Sequence, residues 1–246
     1  YQKEITADIE EDISFLMEQG FLTEKKKISS IKHYETDTLK DLYMYNMGNV
    51  ILQVTQNCNL RCEYCVYSGS YINRVHTNKR MSFETAVKTI DFLAAHSLNC
   101  NEVSIGFYGG EPLLEIELIK KAVSYAKEVF GEKKVNFNMT TNATLLNMDI
   151  ADFLVQNDFN ITISLDGPRN IHNKNRIFAN SNKGTFDLIM ENIALIREKY
   201  PFFDKKISFN AVIDLKQNVS CTNEFFLNLV RWLPKVRPPV RLSCDR

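Results

Sequence analysis

Three cysteines lie within one eight-residue stretch, Cys58-Asn-Leu-Arg-Cys62-Glu-Tyr-Cys65, a C-x3-C-x2-C spacing. Spacings this short let three thiolates fall on one side of a turn and grip one metal centre. A structural zinc site wants four ligands, usually as two separated pairs. The chain holds no second C-x2-C pair and no H-x3-5-H. A fully ligated iron–sulfur cluster also wants four cysteines. Three ligands leave one coordination position open, which serves chemistry better than structure. Cys100, Cys221 and Cys244 have no partner spacing and read as small buried hydrophobes. In a chain this long with no secretory signal, six cysteines do not imply a disulfide framework.

Other unusual residues stand further along. Gly109-Gly110-Glu111-Pro112 uses two of only nine glycines, and adjacent glycines permit close backbone approach to a ligand. Strand carbonyls and Glu111 can receive an ammonium group there. Thr140-Thr141-Asn142 offers hydroxyls and an amide to a pocket or to the next turn. Ser164-Leu165-Asp166-Gly167-Pro168 is followed by His172, read as a loop-packing residue, and by Arg176.

The elements that position these residues follow from hydrophobic periodicity. Strands are expected at 50–55, 102–107, 135–139, 161–165, 207–213 and 239–243, each apolar and rich in β-branched residues. Helices are expected between them at 82–96, 115–130, 147–156, 185–199 and 223–233, with Ser82 and Thr185 as start signals and Gly131 and Pro201 as stops. One more helix is expected at 8–22, with Ile9, Ile13 and Leu16 on one face and Gly20 at its end, followed by a polar linker. Strand alternating with helix predicts βαβ units and a parallel sheet. Six units are too few for a closed eight-stranded barrel. The expected architecture is α/β, a partial (β/α)6 TIM-like barrel with a small N-terminal helical extension; a doubly wound flat sheet is the alternative. The cysteines, Gly109–Pro112, Thr140–Asn142 and Ser164–Pro168 each follow a strand, where α/β folds bind ligands, so the motifs are expected to converge.

Composition narrows the function classes. Lys+Arg and Asp+Glu both number 30, so net charge is zero, and no nucleic-acid partner is expected. No apolar run approaches the ~20 residues that span a bilayer, and no signal peptide opens the chain, so no membrane partner is expected either. The chain opens on Tyr1 and ends at Arg246 directly after a strand-like segment, so further chain on either side is expected.

The C-x3-C-x2-C motif, with aromatic Tyr64 before its third cysteine, resembles the signature of the radical S-adenosylmethionine superfamily. That resemblance implies a [4Fe–4S] cluster on Cys58, Cys62 and Cys65. The iron without a protein ligand would chelate S-adenosylmethionine, whose reductive cleavage to a 5′-deoxyadenosyl radical abstracts hydrogen from substrate. Gly109-Gly110-Glu111 resembles the family's GGE motif, which receives the cofactor's amino group. Ser164 to Arg176 resembles the SLDG-P…HD-x-x-R pattern of the sulfatase-maturase and SPASM-type peptide-maturase branch. It implies Ser164 on the ribose side and Arg176 on the cofactor carboxylate; Asn173 replaces that pattern's Asp, so no role is carried to it. The cofactor set implied by the resemblance also includes Tyr64, Thr141, Asn142, Asp166, Asn210 and Val212, the last two where the family cradles the adenine.

Residues 48–246 carry the resemblance and are expected to form the core domain. Taken together, CEYCVYSGSY, FYGGEPLL, TTNAT and SLDGP look like radical maturases of ribosomally made peptides, which install thioether or carbon–carbon crosslinks in a precursor peptide. The resemblance implies a precursor peptide with a leader, a flavodoxin- or ferredoxin-type electron donor and a reducing cytoplasm. Residues 1–47 are expected as an extension, the 8–22 helix resembling the last helix of a leader-recognition element. No cysteine array follows the core, so a C-terminal auxiliary-cluster domain is expected to be absent from this chain. Two other readings stand beside this one: an anaerobic sulfatase-maturating enzyme forming formylglycine, and a zinc-stabilised binding module.

Overall fold

The computed structural model describes residues 7–22, 32–68, 75–213 and 219–232. The chain divides into two compact units, Tyr1–Lys40 and Asp41–Arg246. In the first, α1 (Ala7–Glu18) ends as its sequence predicts. Gly20 takes φ +84°, Phe21 N–H donates to the Leu16 carbonyl at 2.8 Å, and Gly20 N–H donates to Met17 at 3.1 Å. The glycine turns left without a Cβ penalty and the last helical carbonyls find donors. A short helix, α2 (Leu39–Tyr45), runs across the boundary into the second unit; seven residues give too little periodicity to announce it.

The second unit alternates strand and helix. Its elements are β1 (Asn49–Thr55), α3 (Phe83–His96), β2 (Glu102–Gly109), α4 (Ile116–Phe130), β3 (Lys134–Thr141) and α5 (Met148–Gln156). They continue with β4 (Asn160–Ser164), α6 (Arg169–Asn175), α7 (Phe186–Lys199), β5 (Ile207–Asn210) and α8 (Val219–Trp232). The pairings between these five strands are all parallel, and the strands stand in chain order β1-β2-β3-β4-β5. Each crossover therefore steps one strand onward in the same direction, which curls a twisted sheet towards a barrel. A doubly wound sheet would reverse its order at a switch point; these five strands do not. The fold is the expected α/β partial TIM-like barrel. The sixth strand, expected at 239–243, lies outside the described residues.

Along β1 to β4, alternate residues turn under the helices. Leu52, Val54, Val103, Ile105, Phe107, Phe137, Met139, Ile161 and Ile163 are each at most 2 % exposed. The rings of Phe107, Phe137 and Phe159 stack on one another at centroid distances of 5.4–6.5 Å. Burying one such side chain stabilises the fold by roughly 1.5–3 kcal/mol. Helix α3 starts where Ser82 accepts from Thr85 N–H, and it buries Ala86, Ile90 and Leu93 along one stripe. Asn147 caps α5 in the same way through Ile150 N–H. At α7 the expected cap differs. Thr185 makes no side-chain cap, and Asn173 from α6 accepts from Phe186 N–H at 3.0 Å. The sequence had no local signal for this, because the capping residue comes from another helix.

Candidate active site at the carboxyl ends of the strands

The cysteine loop leaves β1 and is stitched down by backbone hydrogen bonds to the last residue of α6 and the segment after it. Arg61 N–H donates to the Ile177 carbonyl at 2.9 Å, Glu63 N–H to Asn175 at 3.2 Å, and Ala179 N–H to the Asn59 carbonyl at 2.9 Å. Arg61 turns its guanidinium back onto the loop, where Nη1 donates to the carbonyls of Cys58 and Leu60, both at 2.7 Å. Cys62 is buried, and Cys58 and Cys65 are half-buried. Leu60 N–H points at Cys58 Sγ at 3.4 Å, and Asn142 Nδ2 reaches the same sulfur at 3.8 Å.

Burial pushes the Cys58 thiol up to about 12. It pushes Cys62 up to about 11 against the opposing pull of Arg176. A pocket so unfavourable to bare thiolates accepts them only with a compensating positive centre. An iron–sulfur cube takes its thiolates at separate corners, so three clustered cysteines suit a cluster better than one zinc ion. The donor set fits the expected [4Fe–4S] group.

Gly109 and Gly110 are required, though by the protein itself. A Cβ at Gly109 would overlap the carbonyl oxygen of Thr55, and one at Gly110 that of Asn57. The end of β2 runs directly against the base of the cysteine loop, with Gly110 N–H donating to Thr55 and Glu111 N–H to Asn57, both at 2.9 Å. Glu111 is 1 % exposed. One of its oxygens accepts from the Thr141 hydroxyl at 2.6 Å and Leu113 N–H at 3.1 Å, the other from Asn142 N–H at 2.7 Å. The acid thus ties β2 to the end of β3. Asn142 carries the link back to the cysteine loop, donating to Asn59 Oδ1 at 2.9 Å.

Asp166 is the second hub. It is 1 % exposed, and its carboxylate accepts from four donors. These are the Tyr64 hydroxyl at 2.6 Å, Arg176 Nε at 2.9 Å, Arg176 Nη2 at 3.1 Å and Val212 N–H at 3.1 Å. A carboxylate has about four lone-pair sites, so this one is saturated by protein groups. Arg176 also lies over the Tyr64 ring, 5.4 Å from its centroid. Burial raises the Tyr64 phenol well above its ordinary pKa.

His172 packs beneath, fully buried. Asp166 N–H donates to its Nδ1 at 3.3 Å, so Nε2 carries the proton and donates to Thr185 Oγ1 at 2.9 Å, and that hydroxyl donates to the Arg176 carbonyl at 3.2 Å. Burial, helped by the nearby Arg176 cation, pushes His172 down to about 4, so it is a neutral structural imidazole.

The structure brings together Cys58, Cys62, Cys65, Tyr64, Glu111, Thr141, Asn142, Asp166, Arg176 and the backbone of Val212. Ser164 and Asn210 stand as register partners at the ends of β4 and β5. Cys100 is a half-buried free thiol packed at the core edge, as expected. Cys221 is buried but disulfide-bonded, where a lone thiol was expected, since no sequence spacing pairs it. Sequence reasoning missed Arg61, Asn59 and Thr144, whose hydroxyl accepts from Asn59 Nδ2 at 2.8 Å. The position of Arg61 inside the cysteine spacing was the available signal, since a cation there can gather the loop's own carbonyls.

A family profile described as the Radical SAM superfamily matches residues 52–226. The cysteine-type anaerobic sulfatase-maturating enzyme of Clostridium novyi is 33 % identical over 180 residues, covering 72 % of this chain and 46 % of its own length. The radical SAM cyclopropyl synthase TigE of Paramaledivibacter caminithermalis is 24 % identical over 234 residues, covering 86 % of this chain and 48 % of its own. Among solved structures, native anSMEcpe with bound AdoMet and Cp18Cys peptide superposes with a TM-score of 0.61 at 25 % identity, covering 74 % of this chain and 48 % of that one. The chain spans about half the length of the curated relatives it matches.

Proposed function

The chain belongs to the radical SAM superfamily, and from that premise we propose that it abstracts hydrogen from a residue within a peptide and installs a thioether or carbon–carbon crosslink there. When bound, the family's [4Fe–4S] cluster supplies the electron that splits S-adenosylmethionine, and the deoxyadenosyl fragment takes the hydrogen. The chain's own residues have other work. Cys58, Cys62 and Cys65 would hold the cluster. Arg61 and the backbone beyond α6 fix their loop. Glu111 and Asn142 lock the ends of β2 and β3 against that loop, and the Gly109–Gly110 turn keeps it close. Arg176, fixed by Asp166, would place a positive charge against the cofactor's carboxylate, with Ser164, Asn210 and Val212 along its nucleoside side.

The observation that carries this reading is the joining of the cysteine loop to the ends of β2 and β3 through Glu111 and Asn142, and to those of β4 and β5 through Asp166. A zinc-stabilised binding module needs neither buried hub. Two relatives, one a sulfatase-maturating enzyme and the other a cyclopropyl synthase, support a radical reaction on a polypeptide residue. The sulfatase-maturating reading has its own support in the 33 % identity over 180 residues. A leader-bearing precursor, a flavodoxin- or ferredoxin-type donor and a reducing cytoplasm complete the proposal. Among the described residues no helix is long and apolar enough to cross a membrane.

The test is anaerobic. The chain is reconstituted with iron and sulfide, reduced, and assayed for 5′-deoxyadenosine from S-adenosylmethionine, with Cys62→Ala as control. Product from the wild type alone supports the radical chemistry. Modified peptide is then treated with a hydrazide: an aldehyde adduct identifies formylglycine and overturns the crosslink reading, while loss of hydrogen without an adduct supports it. A zinc-loaded protein that forms no deoxyadenosine after reconstitution overturns both.

A further inference from the structure

The segment after β3 turns sharply beside the cysteine loop. Ala143 is buried in that turn at φ +59°, a left-handed conformation that is costly for a residue with a Cβ. Two hydrogen bonds hold it there. Its N–H donates to Thr141 Oγ1 at 3.0 Å, and its carbonyl accepts from Asn192 Nδ2 of α7 at 2.9 Å. The turn brings Asn142 and Thr144, 6 % and 7 % exposed, against Asn59 of the cysteine loop.

These three side chains close a ring. Asn59 Nδ2 donates to Thr144 Oγ1 at 2.8 Å, Thr144 Oγ1 donates to Asn142 Oδ1 at 2.7 Å, and Asn142 Nδ2 donates back to Asn59 Oδ1 at 2.9 Å. Thr144 N–H brings a second donor to Asn142 Oδ1 at 3.0 Å. The ring fixes which way the Asn142 amide points. Its oxygen faces two donors, so its nitrogen faces the other way. One N–H there goes to Asn59, and the other points to Cys58 Sγ, 3.8 Å from the nitrogen.

The Thr144 hydroxyl both accepts and donates through one atom. Without it, Asn59 Nδ2 loses its acceptor and Asn142 Oδ1 loses one of its two donors. The Asn59 oxygen is then no longer held towards Asn142, and nothing sets the plane of the Asn142 amide. A hydrogen bond to a ligand sulfur stabilises the reduced, more negative cluster, and groups that orient such a donor tune the centre without touching it. We propose that Thr144 is a positioning residue for the cluster. Its hydroxyl closes the ring that keeps an Asn142 N–H on Cys58 Sγ, and so sets the potential at which the cluster accepts its electron. This rests on the cluster-holding role given to Cys58 above.

The test uses the full 246-residue chain, reconstituted anaerobically with iron and sulfide, titrated with dithionite and followed by electron paramagnetic resonance. Thr144→Val and Thr144→Ala remove the hydroxyl, and Thr144→Ser keeps it. Asn192→Leu loosens the same turn from α7 without entering the ring. Both hydroxyl-free variants are expected to hold iron and to be harder to reduce. Their reduced-to-oxidised ratio at a fixed potential should fall at least about threefold, or about 28 mV at about 59 mV per tenfold. Thr144→Ser and Asn192→Leu are expected to keep the wild-type potential, Asn192→Leu with a lower unfolding midpoint. An unchanged or raised potential in the hydroxyl-free variants, or an equal fall in Asn192→Leu, overturns the proposal. So does loss of iron from both hydroxyl-free variants, which would make the ring a scaffold only; if one alone loses iron, the other decides. A wild type that assembles no iron–sulfur cluster takes down the reading of Cys58 as a ligand as well, whereas clusters of equal potential sink the role of Thr144 alone.

Discussion

The carboxylate of Asp166 grips the guanidinium of Arg176 through two hydrogen bonds, 2.9 Å to Nε and 3.1 Å to Nη2, with the two side chains only 1 % and 9 % exposed. The same acid receives the Tyr64 hydroxyl from the cysteine loop and Val212 N–H from beyond β5. One residue at the end of β4 therefore sets the position of a cation, a cluster loop and a strand end.

Asp166→Asn keeps the shape and removes the charge. It leaves Arg176 as a buried cation without its counter-ion, so stability is expected to fall by about 3–5 kcal/mol. Thermal or urea unfolding measures this; an unchanged midpoint would mean that water, not Asp166, balances Arg176.

Cys62 is the most shielded of the three clustered thiols. Cys62→Ala is expected to abolish cluster assembly, while Cys100→Ala, at a half-buried site away from the loop, keeps it. Iron and sulfide content after anaerobic reconstitution decides. Full iron in the Cys62 variant would remove it from the ligand set.

His172 gives the fold an acid-sensitive element. Its folded pKa, near 4, lies below the ordinary 6.5. As pH falls below 6.5, the unfolded chain binds a proton that folded His172 refuses, so stability is lost between pH 6.5 and 4 and none is lost above. The loss totals about 3 kcal/mol, at most ~1.4 kcal/mol per pH unit. Denaturant titrations at pH 7 and pH 5 should show this fall in the wild type and a smaller one in His172→Gln; equal falls would assign the acid sensitivity to other groups.

Much of this was legible in sequence because it is local. Ser82 caps its helix within its own segment, and the strands stand out as short apolar runs rich in β-branched residues. Helix α6 (Arg169–Asn175) was not legible, since six of its seven residues are polar and its one buried side chain is His172. The motif residues were visible as types, but their partners were not. The Tyr64–Asp166 bond joins positions 102 residues apart, and Glu111 finds Asn142 across 31. No spacing rule reaches across such separations, so the sequence offered Glu111 and Asp166 as cofactor candidates without showing the protein groups that they hold.

Asn142 has a second, electronic consequence. Its Nδ2 stands 3.8 Å from Cys58 Sγ. Hydrogen bonds to ligand sulfurs stabilise the more negative, reduced cluster and raise its potential. Asn142→Leu is expected to lower the cluster's midpoint potential while iron content is kept. A redox titration followed by electron paramagnetic resonance reads it directly, and an unchanged potential would reduce Asn142 to a tether for Asn59.

Gly110 and Gly131 separate two reasons for a glycine. At Gly131, φ is +56° and an added Cβ meets nothing within 4 Å, so the requirement is conformational alone. Gly131→Ala is expected to cost about 1–3 kcal/mol of backbone strain and to leave iron binding intact. At Gly110 an added Cβ overlaps the Asn57 carbonyl, the atom that accepts Glu111 N–H and precedes the first cysteine ligand. Relief can come only by moving the cysteine loop off the end of β2. Gly110→Ala is therefore expected to reduce iron and sulfide content, even under conditions where circular dichroism shows the barrel folded. A folded Gly110→Ala protein with full iron would mean that the loop can shift without disturbing its ligands, and that the tight turn serves only the packing of β2 on β1.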